Sequence, residues 1–331
     1  MIFRDKHALC KKSYLIGLKI ISIIVLSLFC LFCTHGQTYE SRTVSQVTNS
    51  DSIIFNVPTG TSAGDLLLLV INTDHTNSNL TAIGSWILLD QGFAAMDMDR
   101  SGVYYKLATA SEPATHRFFL ANTDAFGQLL RYSGVDTTTP IEAHTHDSPT
   151  SAPYNITPAV STSYLPSKVV RILRGNDAGT ILTANLPTGY STVGNYNAHG
   201  KSIAIIDAPI TTVGNQDTLT VPHSITNTPY RTSSIVIRGI NNPPTQGNES
   251  ATFIEDIGGS IAVLANNPDP DGHNIAISSF AANTSQGGSI TVSPLSNQVL
   301  DYTPAPNFHG NDTTTYTVCD DGVPILSLIH I

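Results

Sequence analysis

Apolar residues recur along this chain as short runs and not at helical spacing. Ser52-Ile53-Ile54-Phe55-Asn56-Val57, Gly102-Val103-Tyr104-Tyr105-Lys106-Leu107, Arg117-Phe118-Phe119-Leu120, Lys168-Val169-Val170-Arg171-Ile172-Leu173, Ser202-Ile203-Ala204-Ile205-Ile206 and Ser234-Ile235-Val236-Ile237-Arg238 are alternating or compact. Clusters of Gly, Pro, Asn and Asp separate them, the pattern of strands in a sandwich or barrel. Leu66 to Ile71 is wholly apolar, which predicts a central strand covered on both faces.

The first 36 residues are patterned differently. Arg4, Lys6, Lys11, Lys12 and Lys19 precede an apolar run from Ile20 to Cys33, broken only by Ser22 and Ser27. Polarity returns at Thr34-His35-Gly36-Gln37. These are the parts of a secretory signal helix with cleavage after Gly36. The run is shorter than the roughly 20 residues of a full membrane span, and the phenylalanines before Cys30 and Cys33 argue against a lipid-anchored start. Export is therefore expected, to a secreted, extracellular or cell-surface location, with no membrane-integral part once the signal is removed.

Removing that segment changes the charge. Five of the 16 basic residues and one of the 25 acidic ones lie in it, so the remainder carries −13. An acidic surface argues against nucleic acid as a partner and is compatible with divalent cations. Cys319 is the only cysteine left after processing, so the mature chain is expected to hold its core without a disulfide.

Asn241-Asn242-Pro243-Pro244 follows a strand-like run and marks a boundary, with the two prolines stiffening an extended linker. The expected organisation is a signal over 1–36, a larger, jelly-roll-like β-sandwich over 37–240 and a small Greek-key β-sandwich over 241–325. The final Leu326-Ser327-Leu328-Ile329-His330-Ile331 resembles the translation of a transposase adapter used in sequencing libraries. It is expected to be foreign to the gene, which would make the chain a fragment of a longer protein.

The second domain has its own signature. Its pieces are Asn241 to Pro244, Glu255-Asp256, Leu264-Ala265-Asn266, Asp269-Pro270-Asp271-Gly272, Tyr302-Thr303-Pro304, Pro306-Asn307-Phe308, Gly310 with Asp312, and Tyr316 to Gly322. In order and spacing these resemble the cadherin-like and immunoglobulin-like tandem repeats of bacterial surface proteins. The resemblance implies a stackable extracellular adhesion module, often calcium-binding, with other surface proteins or extracellular glycans as partners. Ca²⁺ takes six to eight oxygens, and the candidate ligands are Asp269 and Asp271, with Glu255, Asp256 and Asp320 as helpers. Asn267 and His273 stand where the family usually has Asp, so the site is expected to be weak. The competing reading of Asp-Pro-Asp-Gly is a good β-turn and nothing more.

The first domain resembles a secreted β-sandwich region often found beside such repeats, through Ala63 to Leu67, Ser85 to Leu89, Val103 to Pro113 and Arg131 to Ile141. That likeness implies architecture only. Its chemistry is sparse: His144 and His146 form a plausible metal pair but read better as a solvated loop. Asp97 and Asp99 lack a known separation. Trp86, Tyr104, Tyr105, Tyr190 and Tyr196 suggest a sugar platform, with Trp86 better read as core. Asn79 and Asn155 head glycosylation sequons. Nucleophile-elbow, phosphate-loop and dinucleotide motifs are missing from the sequence. The expectation is a non-catalytic protein, with the alternative of a carbohydrate-binding accessory region of a secreted hydrolase. Adapter-free sequencing of the source DNA across Gly322–Ile331 is expected to return other codons after Ile325; recovery of the same ones would make the tail authentic.

Overall fold

The computed structural model describes residues 37–330 except 75–79, 83, 94–99, 149–154, 176–178, 225–229, 246, 294–298 and 323–324. The expected signal, Asp97, Asp99 and Asn79 lie outside the described residues. These residues form strands throughout, with one short 3-10 turn at Thr183–Asn185. No described helix is long and apolar enough to cross a membrane. The described residues divide into two compact units, one over 37–240 and one from Asn241 onward.

In the first unit, β1 (Thr38–Asn56), β2 (Leu66–Thr73), β3 (Thr81–Ala82), β4 (Ile87–Phe93), β5 (Arg100–Leu107) and β6 (Thr115–Ser133) build one antiparallel sheet in the order β1-β6-β2-β5-β4, with β3 on β6. Further along come β7 (Ile141–Asp147), β8 (Ile156–Thr157), β9 (Val160–Thr162), β10 (Ser167–Gly175), β11 (Ser191–Ala198), β12 (Lys201–Ile210), β13 (Gly214–Gln216), β14 (Leu219–Thr220) and β15 (Tyr230–Arg238). The long ones form a second sheet, β11-β12-β10-β15-β7, and β9–β13 and β8–β14 are small separate ladders. Leu68, Val70 and Leu130 of the first sheet share a core with Ile172, Ile205 and Ile235 of the second, which makes the unit a sandwich.

Every side chain from Leu66 to Ile71 is fully buried. Alternation sends Leu66, Leu68 and Val70 into the inter-sheet core, and Leu67, Leu69 and Ile71 to the opposite face. That outer face is covered by Ile53, Phe55, Phe118 and Leu120, from the far halves of the long β1–β6 ribbon. The ribbon's register slips between Val47 and Ser52, opposite Thr123 and Phe119. Asn49 and Asn122 adopt left-handed φ of 45° and 48° there, where asparagine is among the least penalised residues. Gly127 completes the fit, because a Cβ there would lie 2.7 Å from the Phe55 ring.

The ends of the inter-sheet core are charged. Asp90 on β4 receives hydrogen bonds from Arg174 on β10 and from Arg231 and Ser233 on β15. At the other end of β10, Lys168 lies 3.1 Å from Asp207 of β12. Strand parity forces these groups inward, since Lys168 and Arg174 share the face of Val170 and Ile172. On the outer face of the second sheet, the buried Arg171 donates to the carbonyls of Pro158 and Asp217 and to the Ser234 hydroxyl, tying the small ladders down.

The second unit stacks β16 (Gly259–Ile261), β18 (Ser289–Val292) and β19 (Leu300–Thr303) against β17 (Ile275–Phe280), β20 (Tyr316–Asp320) and β21 (Ser327–His330), in the orders β16-β19-β18 and β17-β20-β21. Val263, Leu264, Ile290, Leu300, Tyr316 and Val318 fill the space between. Asp312 accepts from Thr284, Ser285, Gln286, Tyr302 and Thr313. It holds the Thr313 N–H, and the last long strand starts only at Tyr316, three residues later than the β-branched run suggests. The tail expected to be foreign pairs with β20 as β21. Cys319 is buried on β20 and disulfide-bonded in the chain as given, whereas the expectation of a core without a disulfide is for the chain after signal removal. Asn241, Asn242, Thr245 and Gly247 are no free linker: they bond to Asp320, Asp271, Pro268 and Asn267 of the second unit.

Burial alone would raise the Asp90 pKa, but the Arg174 and Arg231 guanidiniums outweigh it and hold the carboxyl well below the ordinary range. A folded pKa below the unfolded one adds stability that is complete above about pH 4 and is lost as pH falls below that value. Asp90→Ala is expected to cost about 3–5 kcal/mol, because it strands two buried cations. It should also flatten the acid limb between about pH 4 and 2. Urea unfolding of both chains across that range measures both effects.

Candidate metal centre

The carboxylates singled out in the sequence separate into two places. Asp269 to Gly272 is a hydrogen-bonded turn, with the Gly272 N–H 3.2 Å from the Asp269 carbonyl. Pro270 occupies the second position, which its fixed φ suits. Gly272 takes φ +80°, a conformation that disfavours any side chain. The Asp269 side chain folds back over the turn, and its Oδ1 accepts the N–H groups of Asp271 (2.9 Å) and His273 (3.1 Å). Its Oδ2 is buried and has no hydrogen-bond partner, and the side chain as a whole is 1 % exposed. The His273 Nδ1 lies 3.6 Å from Asp269 Oδ1. One ligand atom from each of Asp269, Asp271 and His273 falls within 4.8 Å of the others.

Asp271 is anchored by Asn242, which donates its backbone N–H at 2.5 Å and its side-chain amide at 3.1 Å. Burial pushes the Asp271 carboxyl up; the Asn242 bonds oppose this and the Asp269 charge adds to it.

The other expected ligands are engaged elsewhere. Asp320 is buried; its Oδ1 accepts from Gly322 and Leu326 and its Oδ2 from the Asn241 amide. Asp321 accepts two bonds from Asn274. Asp256 sits in a turn at φ 62° and accepts the Asn307 N–H at 2.7 Å, with Glu255 exposed beside it. Asn307 lies on the connection that enters β20 at Tyr316, whereas Asp320 ends β20. Glu255 and Asp256 therefore belong to the opposite pole from Asp320 and do not converge with it. Asn267, which the resemblance places at a carboxylate position, is fully buried. It donates to the Val263 carbonyl and accepts from the Gly247 N–H, both at 2.6 Å. The group that comes together here is two carboxylates and one imidazole, Asp269, Asp271 and His273. His273 was legible in the sequence only as a departure from a pattern, although its i+4 spacing from Asp269 on a tight turn was a usable signal.

The candidates of the first unit serve packing. His144 and His146 lie exposed on β7, an edge strand and not a loop, and His146 Nδ1 is 3.7 Å from Asp90. Tyr104 is buried and donates to the Leu80 carbonyl, and Trp86 packs on the same outer core. Tyr196 packs on the inter-sheet core and Tyr190 on the far face of the second sheet. These rings lie on different layers and make no common platform. The Asn155 side chain is buried against the Val221 carbonyl at 2.7 Å, which removes it as a glycosylation acceptor in the folded chain. Glu112 does more than begin a turn: Lys106 (2.5 Å) and His116 (2.7 Å) both meet its Oε1. Burial lowers the His116 pKa against the pull of Glu112. Trp86, Lys106, His116 and Arg117 line a shallow cleft of about 320 Å³ beside this group.

Residues 241–323 match the family model of the bacterial Ig domain. This covers about a quarter of the chain and takes in β16 to β20 of the two facing sheets, with β21 beyond its end. No curated protein and no solved structure matches the chain.

Asn267→Asp restores the carboxylate that the family pattern favours, and separates a ligand role from a packing role. It replaces a donor amide with a buried charge facing the Val263 carbonyl. The expected loss is about 3 kcal/mol, the scale for an uncompensated buried charge, and millimolar calcium should not restore it. Urea unfolding with and without calcium reads the difference.

Proposed function

We propose that this is a non-catalytic secreted or cell-surface protein of structural, adhesion type, whose C-terminal unit is an Ig-like module. The observation that carries this reading is the family match over 241–323, lying on a compact two-sheet unit with its own core. Ig-type sandwiches present strands and loops as a scaffold for contact, and their stability does not require an open reactive pocket. The first unit supports the same reading through what its ionisable groups do. Asp90, Arg174 and Arg231 join the two sheets, Arg171 secures the ladders, and Glu112 joins β5 to β6. Each is bonded to neighbours in a way that holds strands together, a structural use and not the activation of a nucleophile. The partners of this chemistry are other surface proteins or extracellular glycans, met on exposed strand faces.

The untagged full chain, incubated with a panel of chromogenic esters and glycosides, is expected to give no turnover above a heat-inactivated control. Turnover that survives purification and falls in a Glu112→Gln or His116→Ala variant would overturn the non-catalytic reading. Glycan-array binding without turnover would move the protein to the carbohydrate-binding class.

A further inference from the structure

Calcium is the ion the family resemblance suggests, and the pole around Asp269 is built for a different one. We propose that Asp269, Asp271 and His273 form a site for a borderline divalent cation of the zinc class, with the remaining coordination positions taken by water. Three observations carry this.

The first is the orphaned oxygen. Asp269 Oδ2 is a carboxylate oxygen withdrawn from solvent and given no hydrogen-bond donor. Buried polar groups are almost always paired, and a buried anionic oxygen without a partner is costly. A cation at this position supplies what the protein does not.

The second is the chemistry of the donors. Two carboxylates and an imidazole are three protein ligands of the kind that hold zinc with open positions. Imidazole suits zinc, copper, iron and nickel, whereas calcium takes oxygen alone. Asp320 and Asp321, whose carboxylates would raise the oxygen count, do not join the three ligand atoms that lie within 4.8 Å of one another.

The third is preorganisation. All three ligands come from one five-residue segment, whose shape is set by Asp269 Oδ1 accepting the N–H groups of the other two ligand residues. Asn242 fixes Asp271 from outside the turn, as groups behind metal ligands commonly do. The three ligand atoms already lie within 4.8 Å of one another, the neighbourhood in which a zinc ion at about 2.0–2.2 Å from each ligand would sit. The ion would also screen the mutual repulsion of Asp269 and Asp271, and through Asp271 it would stiffen the Asn242 segment.

The test uses the untagged full chain, stripped with EDTA and then given zinc alone or calcium alone. Equilibrium dialysis with metal analysis is expected to give one zinc per chain at this site. At a hundredfold excess over Kd, the unfolding midpoint of the C-terminal unit should rise by about 10 °C. Calcium at the same concentration should leave it unchanged. Asp269→Asn keeps the Oδ1 acceptor of the turn and removes the anionic Oδ2, so its metal-free midpoint should stay close to that of the parent. Asp269→Asn and His273→Gln should each weaken zinc by at least about tenfold, and His144→Ala/His146→Ala should not. A calcium shift equal to that of zinc and indifferent to His273→Gln would overturn the proposal in favour of an oxygen site. Zinc binding that survives both pole variants, or no stoichiometric zinc at all, would leave Asp-Pro-Asp-Gly as a turn only.

Discussion

The first unit depends on a strand that has no solvent face. Leu66 to Ile71 buries six large apolar side chains in a row, each worth roughly 1.5–3 kcal/mol, and half of them point away from the second sheet. A two-layer sandwich would leave Leu67, Leu69 and Ile71 exposed. The long β1–β6 ribbon resolves this by bending at Asn49 and Asn122 and laying Ile53, Phe55, Phe118 and Leu120 across them. The length of those strands, their bulges and the absence of a side chain at Gly127 all follow from the need to cover β2 twice.

Polar groups are distributed by the same parity. An inward-facing position near a strand end places a charge between two sheets, where it must be paired. Asp90 with Arg174 and Arg231 closes one end of the inter-sheet core, and Lys168 with Asp207 the other. A buried pair contributes little net stability over an apolar filling, but breaking it is expensive. Such pairs therefore punish sheet arrangements that misalign them.

The Ig-like unit handles its polar residues differently. Asp312 gathers five donors at one end, and Asp320, Asp321 and Asn267 are saturated by backbone and amide groups at the other. Asp269 Oδ2 has no such donor. It is the reason the pole reads as a cation site and not only as a turn. The same saturation explains why counting nearby acidic residues misjudges the ligand set.

What the sequence determined by itself was the class of structure and most of its strands. Alternation with period two and turn residues between runs are local properties, so β2, β5, β10, β12, β15 and the β18–β19 pair were legible. The two-sided burial of β2 was legible too, because six consecutive apolar residues leave no polar face. The polar half of β1 was hidden by its Thr, Ser and Gln residues, and β7 by its histidines, since an edge strand needs only one apolar side. At the candidate site, Asp269 and Asp271 could be named because a tight turn brings residues two apart together. Tertiary structure alone decided the rest. It sent Glu255 and Asp256 to the far pole, engaged Asp320 with N–H donors, turned Asn267 into the core and brought His273 back to Asp269. Sequence spacing carries no record of which end of a strand a connecting loop will occupy, nor of which backbone N–H will already have claimed a carboxylate.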